Sequence, residues 1–342
     1  MSAADAFAQQ ARSNESLGSP FTARVLRMLP DLLERGTSLG DRILDWPGDV
    51  GPSGASVPLR LMGGLHALVL AGDPLAAAYP PNDPGDAALR RALATALSER
   101  VDHLQAWLDG PPQTNEVRRS VGLIAGACVA AERHGLPMVL SEVGASGGLN
   151  LHFDRYALET PSFRRGAAEP ALTLRPGWAG QAPPDPTLDV VERAGCDLAP
   201  LDPSRPSDLT RLRAYLWPDQ PHRRALTDAA VAVATPRVER ADAVAWLRRR
   251  LAEPRPGRLH LVFHTVAWQY LPAEAQAEGE AILSRAGARA THDAPLARLG
   301  LEADGGHGAG LTLTTWPDGR TEHLGRIDFH GRWAEWGGPA AV

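Results

Sequence analysis

The chain has 342 residues, 44% hydrophobic and 22% charged, with a formal net charge of −5. That composition supplies a sizeable core, and a mild negative charge without long basic runs argues against nucleic acid as a partner; Arg248–Arg250, the densest basic cluster, reads as a solvated helix face. Lysine is absent, which excludes Schiff-base and pyridoxal-phosphate chemistry and Walker A nucleotide hydrolysis, each of which needs a lysine amine.

In chain order, the first third reads as helical. Phe21, Val25, Leu26, Leu29, Leu32 and Leu33 recur at helical spacing, Leu65–Ala71 is apolar nearly all round, and Ala87–Leu108 is a long amphipathic stretch. Pro80-Pro81 and Pro111-Pro112 separate these helices, and Thr114-Asn115-Glu116 can cap a helix carrying Gly122–Glu132. Pro137 ends that helix, and Met138–Val143 is a short apolar strand leading into the small-residue run Gly144-Ala145-Ser146-Gly147-Gly148-Leu149-Asn150. A segment around 153–187, rich in Pro, Gly and Arg, reads as an inserted hairpin with a strand at Ala171–Arg175. Leu188–Asp197 is a second core strand, Asp208–Ala234 is helical, Val238–Asp242 a short strand and Ala243–Leu251 a helix. LHLVFHTV, Leu259–Val266, is the strongest strand; Ala273–Ala286 is a helix, and Gly310–Thr315 pairs with Glu322–Phe329 across Pro317-Asp318-Gly319.

Strand and helix therefore alternate after residue 136. The expected organisation is an all-helical unit over 1–135 and an α/β unit over 136–342 with a doubly wound, mostly parallel sheet and a C-terminal antiparallel hairpin. In layout this resembles class I methyltransferases. The N-terminus lacks a basic start followed by an apolar core, the most apolar windows are too short for a bilayer, and Cys128 and Cys196 have no C-x-x-C spacing. A cytoplasmic protein with no membrane partner and a small-molecule substrate is the expectation. A metal is not expected: His260 and His264 lie roughly 13 Å apart along a strand, and no H-E-x-x-H is present.

Ligands of such sheets bind at the carboxyl ends of the strands. The run after the first strand, Glu142 followed by Gly144, Ser146, Gly147, Gly148 and Asn150, resembles the first motif of S-adenosylmethionine-dependent methyltransferases, with Ser146 where a glycine is usual. The resemblance implies that this turn cradles the amino-acid end of S-adenosylmethionine. Asp197 ends the next strand, where an acid accepts ribose hydroxyls, and Asp202 competes for that role; Asp242, near the adenine in such enzymes, is equally an N-cap for Ala243–Leu251. His264, Trp268, Gln269 and Tyr270 crowd the end of the strongest strand, where His264 is a candidate base and Gln269 and Tyr270 candidate catalytic partners. Gly144–Gly148 also fits G-x-S-x-G. The alternative is therefore a serine hydrolase using Ser146, with Asp242 and His264, His307 or His330; a non-catalytic small-molecule-binding protein is the other.

Several stretches together, GSPFTARVL, PPQTNEVRRS, LSEVGASGGLNLHFDRY, GCDLAPLD, LWPDQPHRR and LVFHTVAWQYLP, resemble the bacterial domain-of-unknown-function family 2332 from about Ser19 to Trp333. The resemblance implies a Rossmann-like, methyltransferase-related sheet. It adds Asn115, Glu116 and Arg119, then Asp154, Arg155 and Tyr156, as substrate-binding candidates, and it points to Asp219 and Arg223.

Overall fold

The computed structural model describes residues 2–52, 54–235 and 238–338. The outermost ends of the two expected ranges, residues 1 and 339–342, lie outside them. The chain divides into two compact units: Met1–Thr114 with Ser204–Ala225, and Asn115–Pro203 with Leu226–Val342.

The first unit is helical. It contains α1 (Ala3–Ser16), α2 (Pro20–Leu32), α3 (Ser38–Leu44), α4 (Val57–Leu70), α5 (Asp86–Glu99) and α6 (Val101–Asp109). Ser2 and Asp5 close a reciprocal capping box on α1. The amphipathic stretch expected over Ala87–Leu108 is two helices, broken at Arg100, whose φ and ψ of −114° and 30° leave the helical region. Leu26, Leu29, Leu61, Leu65, Leu93 and Leu104 are fully buried at its centre.

The second unit opens on α7 (Ser120–His134), then β1 (Met138–Val143), β2 (Tyr156–Glu159), β3 (Arg164–Gly166), β4 (Leu172–Leu174), β5 (Gly177–Gly180) and β6 (Val190–Asp197). The expected boundary at residue 135 is thus corrected: α7 belongs with the sheet. Every residue from Ser120 to Ala131 is buried, because Gly122 and Gly126 let the helix lie directly on Ile327 and Leu299. A Cβ on Gly126 would stand 2.4 Å from a Leu299 methyl. Gly126→Val is expected to cost about 2–3 kcal/mol by overpacking, read as a lower urea midpoint with an unchanged m-value; an unchanged midpoint would refute this packing argument.

The chain then returns to the helical unit as α8 (Pro206–Ala214) and the start of α9 (Pro221–Val233). The single helix expected over Asp208–Ala234 is divided because Pro218 and Pro221 interrupt its hydrogen-bond ladder. The sheet unit resumes with β7 (Val238–Arg240), α10 (Ala243–Arg250), β8 (Leu259–Thr265), α11 (Ala273–Gly287), β9 (Leu296–Glu302), β10 (Ala309–Trp316), β11 (Arg320–Ile327) and β12 (Trp333–Trp336).

The main sheet runs β5-β12-β11-β10-β9-β8-β1-β6-β7. From β7 to β9 all pairings are parallel. β9 to β12 form an antiparallel meander in chain order, of which the expected hairpin is β10 and β11. α7 packs over one face, and α10 and α11 over the other. The inserted segment is a three-stranded sheet rather than a single hairpin: β2 pairs antiparallel with β3 and parallel with β4. Among the described residues no helix is long and apolar enough to cross a membrane.

Candidate functional site

Strand order reverses between β1 and β8. From β1 the chain proceeds outward to β6 and β7, and from β8 to β9 in the opposite direction. Such a reversal leaves a crevice outside the carboxyl ends of the two strands, where ligands of open α/β sheets bind. Val143 faces His264 across the β1–β8 pairing, so the turn after β1 and the turn after β8 are neighbours.

The first turn is built on left-handed backbone. Gly144, Ser146 and Gly148 have φ of 71°, 52° and 71°. A glycine is required at two of these positions for packing as well as torsion: a Cβ on Gly144 would lie 2.5 Å from Ala267 Cβ, and one on Gly148 2.9 Å from Val238 Cγ2. On those sides the close approach is made by the protein itself. The N–H groups of Gly144 and Ala145 both donate to the Cys196 carbonyl, tying the turn to β6. Asp197 completes the tie, its carboxylate accepting from Ser146 N (2.9 Å) and Ala199 N (2.8 Å).

Two polar groups of this turn have nothing to bond. Glu142 Oε2 and Ser146 Oγ are buried without a hydrogen-bond partner, and the two residues are only 1% and 5% exposed. Burial, reinforced by the Asp197 charge and opposed by Arg119, pushes the Glu142 carboxyl well above the usual range.

The second turn is saturated. His264 Nδ1 donates to Glu302 Oε1 (2.7 Å), and Arg298 Nε donates to His264 Nε2 (3.0 Å). Both ring nitrogens are therefore engaged, and burial lowers the imidazole's affinity for a proton. The His264 ring stacks on Trp268 at 4.9 Å, and Arg298 covers the same indole at 4.5 Å. The Glu302 carboxylate also accepts from the N–H groups of Ala267, Trp268 and Gln269. That nest holds Val266 at φ 51°, an unfavourable conformation for a β-branched residue. Gln269 Oε1 accepts from Ala303 N, while Tyr270 is 70% exposed.

The other candidates join elements to one another. Asn115 Oδ1 accepts from Leu149 N, and Asn150 bonds Ser120 Oγ and the Glu116 carbonyl. Glu116 caps the 3₁₀ turn Val117–Arg119, and Arg119 donates to the carbonyls of Thr265 and Phe329. Asp154 makes a two-pronged bond with Arg193, Arg155 donates to the Val233 carbonyl, and buried Tyr156 donates to the Leu149 carbonyl. Asp242 accepts from Ala245 N as the N-cap of α10. Asp219, in the helical unit, accepts from Ser19 Oγ and Phe21 N.

The structure thus brings Glu142, Gly144, Ser146, Asp197 and His264 to adjacent strand ends. Among the described residues Ser146 Oγ is hydrogen-bonded to no histidine; His264 is held by Glu302 and Arg298, and His307 stacks on Trp333. Among the described residues no group of three or more His, Cys, Asp or Glu is placed to hold a metal ion. Arg298 and Glu302 escaped the reading of the sequence. The one signal for them is the alternation of LARLGLE, which puts both on the same side of β9.

A family model described as an uncharacterized protein conserved in bacteria, domain-of-unknown-function family 2332, matches residues 4–336. The chain belongs to that family. No curated protein and no solved structure matches it. The range over which this family 2332 member matches takes in both the helical unit and the α/β unit described above.

Proposed function

We propose that this family 2332 protein binds S-adenosylmethionine at the β1–β8 crevice and transfers its methyl group to a small polar acceptor, its sheet being a variant of the class I methyltransferase arrangement. The observation that carries the reading is the pair of buried, unpartnered polar groups, Glu142 and Ser146, at the strand-order reversal. They fit the cofactor's amino-acid end, which offers an ammonium to the Glu142 carboxyl and further polar atoms to the Ser146 hydroxyl. Each Asp197 oxygen spends one lone pair on a backbone N–H and keeps another for a ribose hydroxyl. When bound, the cofactor supplies an electrophilic methyl group, and the protein's part is alignment. The engagement of both His264 nitrogens favours an acceptor that needs no base from this residue. The same observation supports a second reading, binding without turnover.

A cation bound beside Glu142 favours its carboxylate; over the pH range in which burial keeps that carboxyl protonated in the free protein, binding releases a proton and tightens as pH rises, by up to about tenfold per unit. Calorimetry in buffers of different ionisation enthalpy should show this release for S-adenosylmethionine and S-adenosylhomocysteine, and Glu142→Gln should abolish it. Failure of both compounds to bind at high micromolar concentration would sink the reading. Binding with no methyl transfer to any of a panel of small acceptors would favour the second one.

A further inference from the structure

Of the chain's nine Trp, four Tyr and six Phe, one ring is exposed among the described residues, and it stands at the candidate site. Tyr270 is 70% exposed and ends the short 3₁₀ turn Trp268–Tyr270 that follows β8. Among the described residues its ring meets no other ring and no guanidinium, and its hydroxyl has no hydrogen-bond partner. Apolar surface left in water is a cost to the fold, and no contact within the chain offsets it.

The backbone under this ring is fixed. Tyr270 N donates to the Ala267 carbonyl at 3.1 Å, and Glu302 gathers the N–H groups of the three residues before Tyr270. Gln269 Oε1 accepts from Ala303 N, and the Leu271 carbonyl accepts from Gln276 Nε2. An aromatic ring held out on a rigid support is pre-organised for recognition, because little backbone freedom is left to lose on binding.

The surface beside it is open. Ala267 presses on Gly144, which is exposed and carries no side chain. On the other side of β1 lies β6, and Leu198, the residue after it, is 69% exposed. Only three large hydrophobic residues are this exposed among those described, and two of them follow the strands that flank β1; the third, Val191, lies near the start of β6. The carboxyl-end surface of β8, β1 and β6 therefore offers solvent an aromatic ring, bare backbone and an aliphatic side chain.

The chemistry beside Tyr270 narrows the occupant. An ammonium, hydroxyl or thiol acceptor must give up a proton in methyl transfer, and His264, the base at this strand end, has both nitrogens engaged. A pyridine-type ring nitrogen gives up none, because its lone pair lies in the ring plane and is free to attack. The ring that carries it is flat and apolar on its faces, the shape that an exposed tyrosine stacks on.

We propose that the acceptor is a small heteroarene with a pyridine-type nitrogen, recognised by stacking on Tyr270 with Leu198 as a second apolar contact. The proposal rests on the cofactor reading for its methyl donor. The nitrogen lone pair forms the N–CH3 bond as the S–CH3 bond breaks and its electron pair returns to sulfur. The positive charge passes from the sulfonium to the ring nitrogen, no proton is lost, and the cationic product is itself favoured over the tyrosine face.

Isoquinoline, uncharged in mildly alkaline buffer, is titrated by calorimetry into the full chain saturated with S-adenosylhomocysteine. It should bind the wild type, about tenfold more weakly Tyr270→Ala, and within about twofold of wild type Tyr270→Phe, which keeps the ring. Tyr270→Ala should melt at the wild-type temperature and bind S-adenosylhomocysteine as the wild type does. With S-adenosylmethionine instead, mass spectrometry should find an N-methylated product from isoquinoline, quinoline or pyridine, formed by Tyr270→Ala with a raised KM. Equal isoquinoline affinity in wild type and Tyr270→Ala, no binding at millimolar concentration, or no methylated product from the three heteroarenes would overturn the proposal. So would a Tyr270→Ala protein that loses affinity for S-adenosylhomocysteine and not for isoquinoline, since the ring would then belong to the cofactor. If S-adenosylhomocysteine does not bind the wild type, the cofactor reading fails and the acceptor assignment with it; isoquinoline titrated into the protein alone then decides the role of Tyr270 separately.

Discussion

Acidification from pH 6.5 towards pH 3 is expected to unfold the sheet unit before the helical one. His152 and His260, in the sheet unit, are 0% and 4% exposed, and burial pushes them down to about 4 and about 3. In the helical unit burial pushes His66 down to about 4. In each case the folded state resists a proton that the unfolded chain accepts near pH 6.5. The stability tied to the neutral form is fully present above pH 6.5 and is lost as pH falls through the folded value. His264 and Glu302, both lowered in the fold, act in the same direction, Glu302 only below the ordinary carboxylate range, whereas Glu142, raised by burial, favours the fold as pH falls towards that range and offsets part of the loss. The two sheet-unit histidines together are worth on the order of 8 kcal/mol and His66 about 3 kcal/mol, against the 5–15 kcal/mol or so that stabilises a typical domain. Far-ultraviolet circular dichroism against pH, with hydrogen exchange to assign each unit, would follow the transitions. His260→Gln should move the first midpoint to lower pH; a first transition below pH 3, or one that begins in the helical unit, would contradict the argument.

Glu302→Ala is expected to be the most damaging single change near the candidate site, costing about 3–5 kcal/mol. One carboxylate accepts from His264 and from three successive backbone N–H groups, so its removal strands several donors at once. It also releases the turn that holds Val266 at φ 51° and presses Ala267 against Gly144. Glycine tolerates that torsion, so Val266→Gly in the Glu302→Ala background should recover about 1 kcal/mol. Urea denaturation of the single and double variants measures both effects. A Glu302→Ala protein within about 0.5 kcal/mol of wild type would show that the nest is not the anchor described.

What the sequence revealed, and what it hid, follows from the range of the interactions. LHLVFHTV was legible because all seven residues of β8 are buried, and a strand covered on both faces is apolar throughout. Asp242 was legible as a cap because capping is local. β9 was not, because Arg298 and Gly300 interrupt its apolar pattern, and both residues are explained only by what lies across the sheet. Arg298 reaches His264, and a Cβ on Gly300 would stand 3.0 Å from the same imidazole. The role of Glu302 is equally remote, its partners lying 33–38 residues earlier. For the same reason His264 looked like a free base in the sequence: its polar neighbours there are Thr265 and Gln269, whereas both of its hydrogen-bond partners come from β9. The placement of α7 was hidden by its helical periodicity, which does not say which core a helix buried all round will join.

The helical unit is discontinuous in sequence, taking α8 from beyond residue 203, and this sets an order of events during synthesis. α1 to α6 leave the ribosome well before Leu212 and Tyr215, both buried in the finished unit, have been translated. Until they arrive, the surface of α4 that receives α8 stays open, with Gly63 bare where the Tyr215 ring will lie. Through the same interval β1 and β6 are already made while β8, which pairs with β1 on its other side, is not. Neither unit can close by simple N-to-C addition, so the nascent chain carries two half-built cores at once, the state in which transiently exposed apolar surface invites chaperones or aggregation.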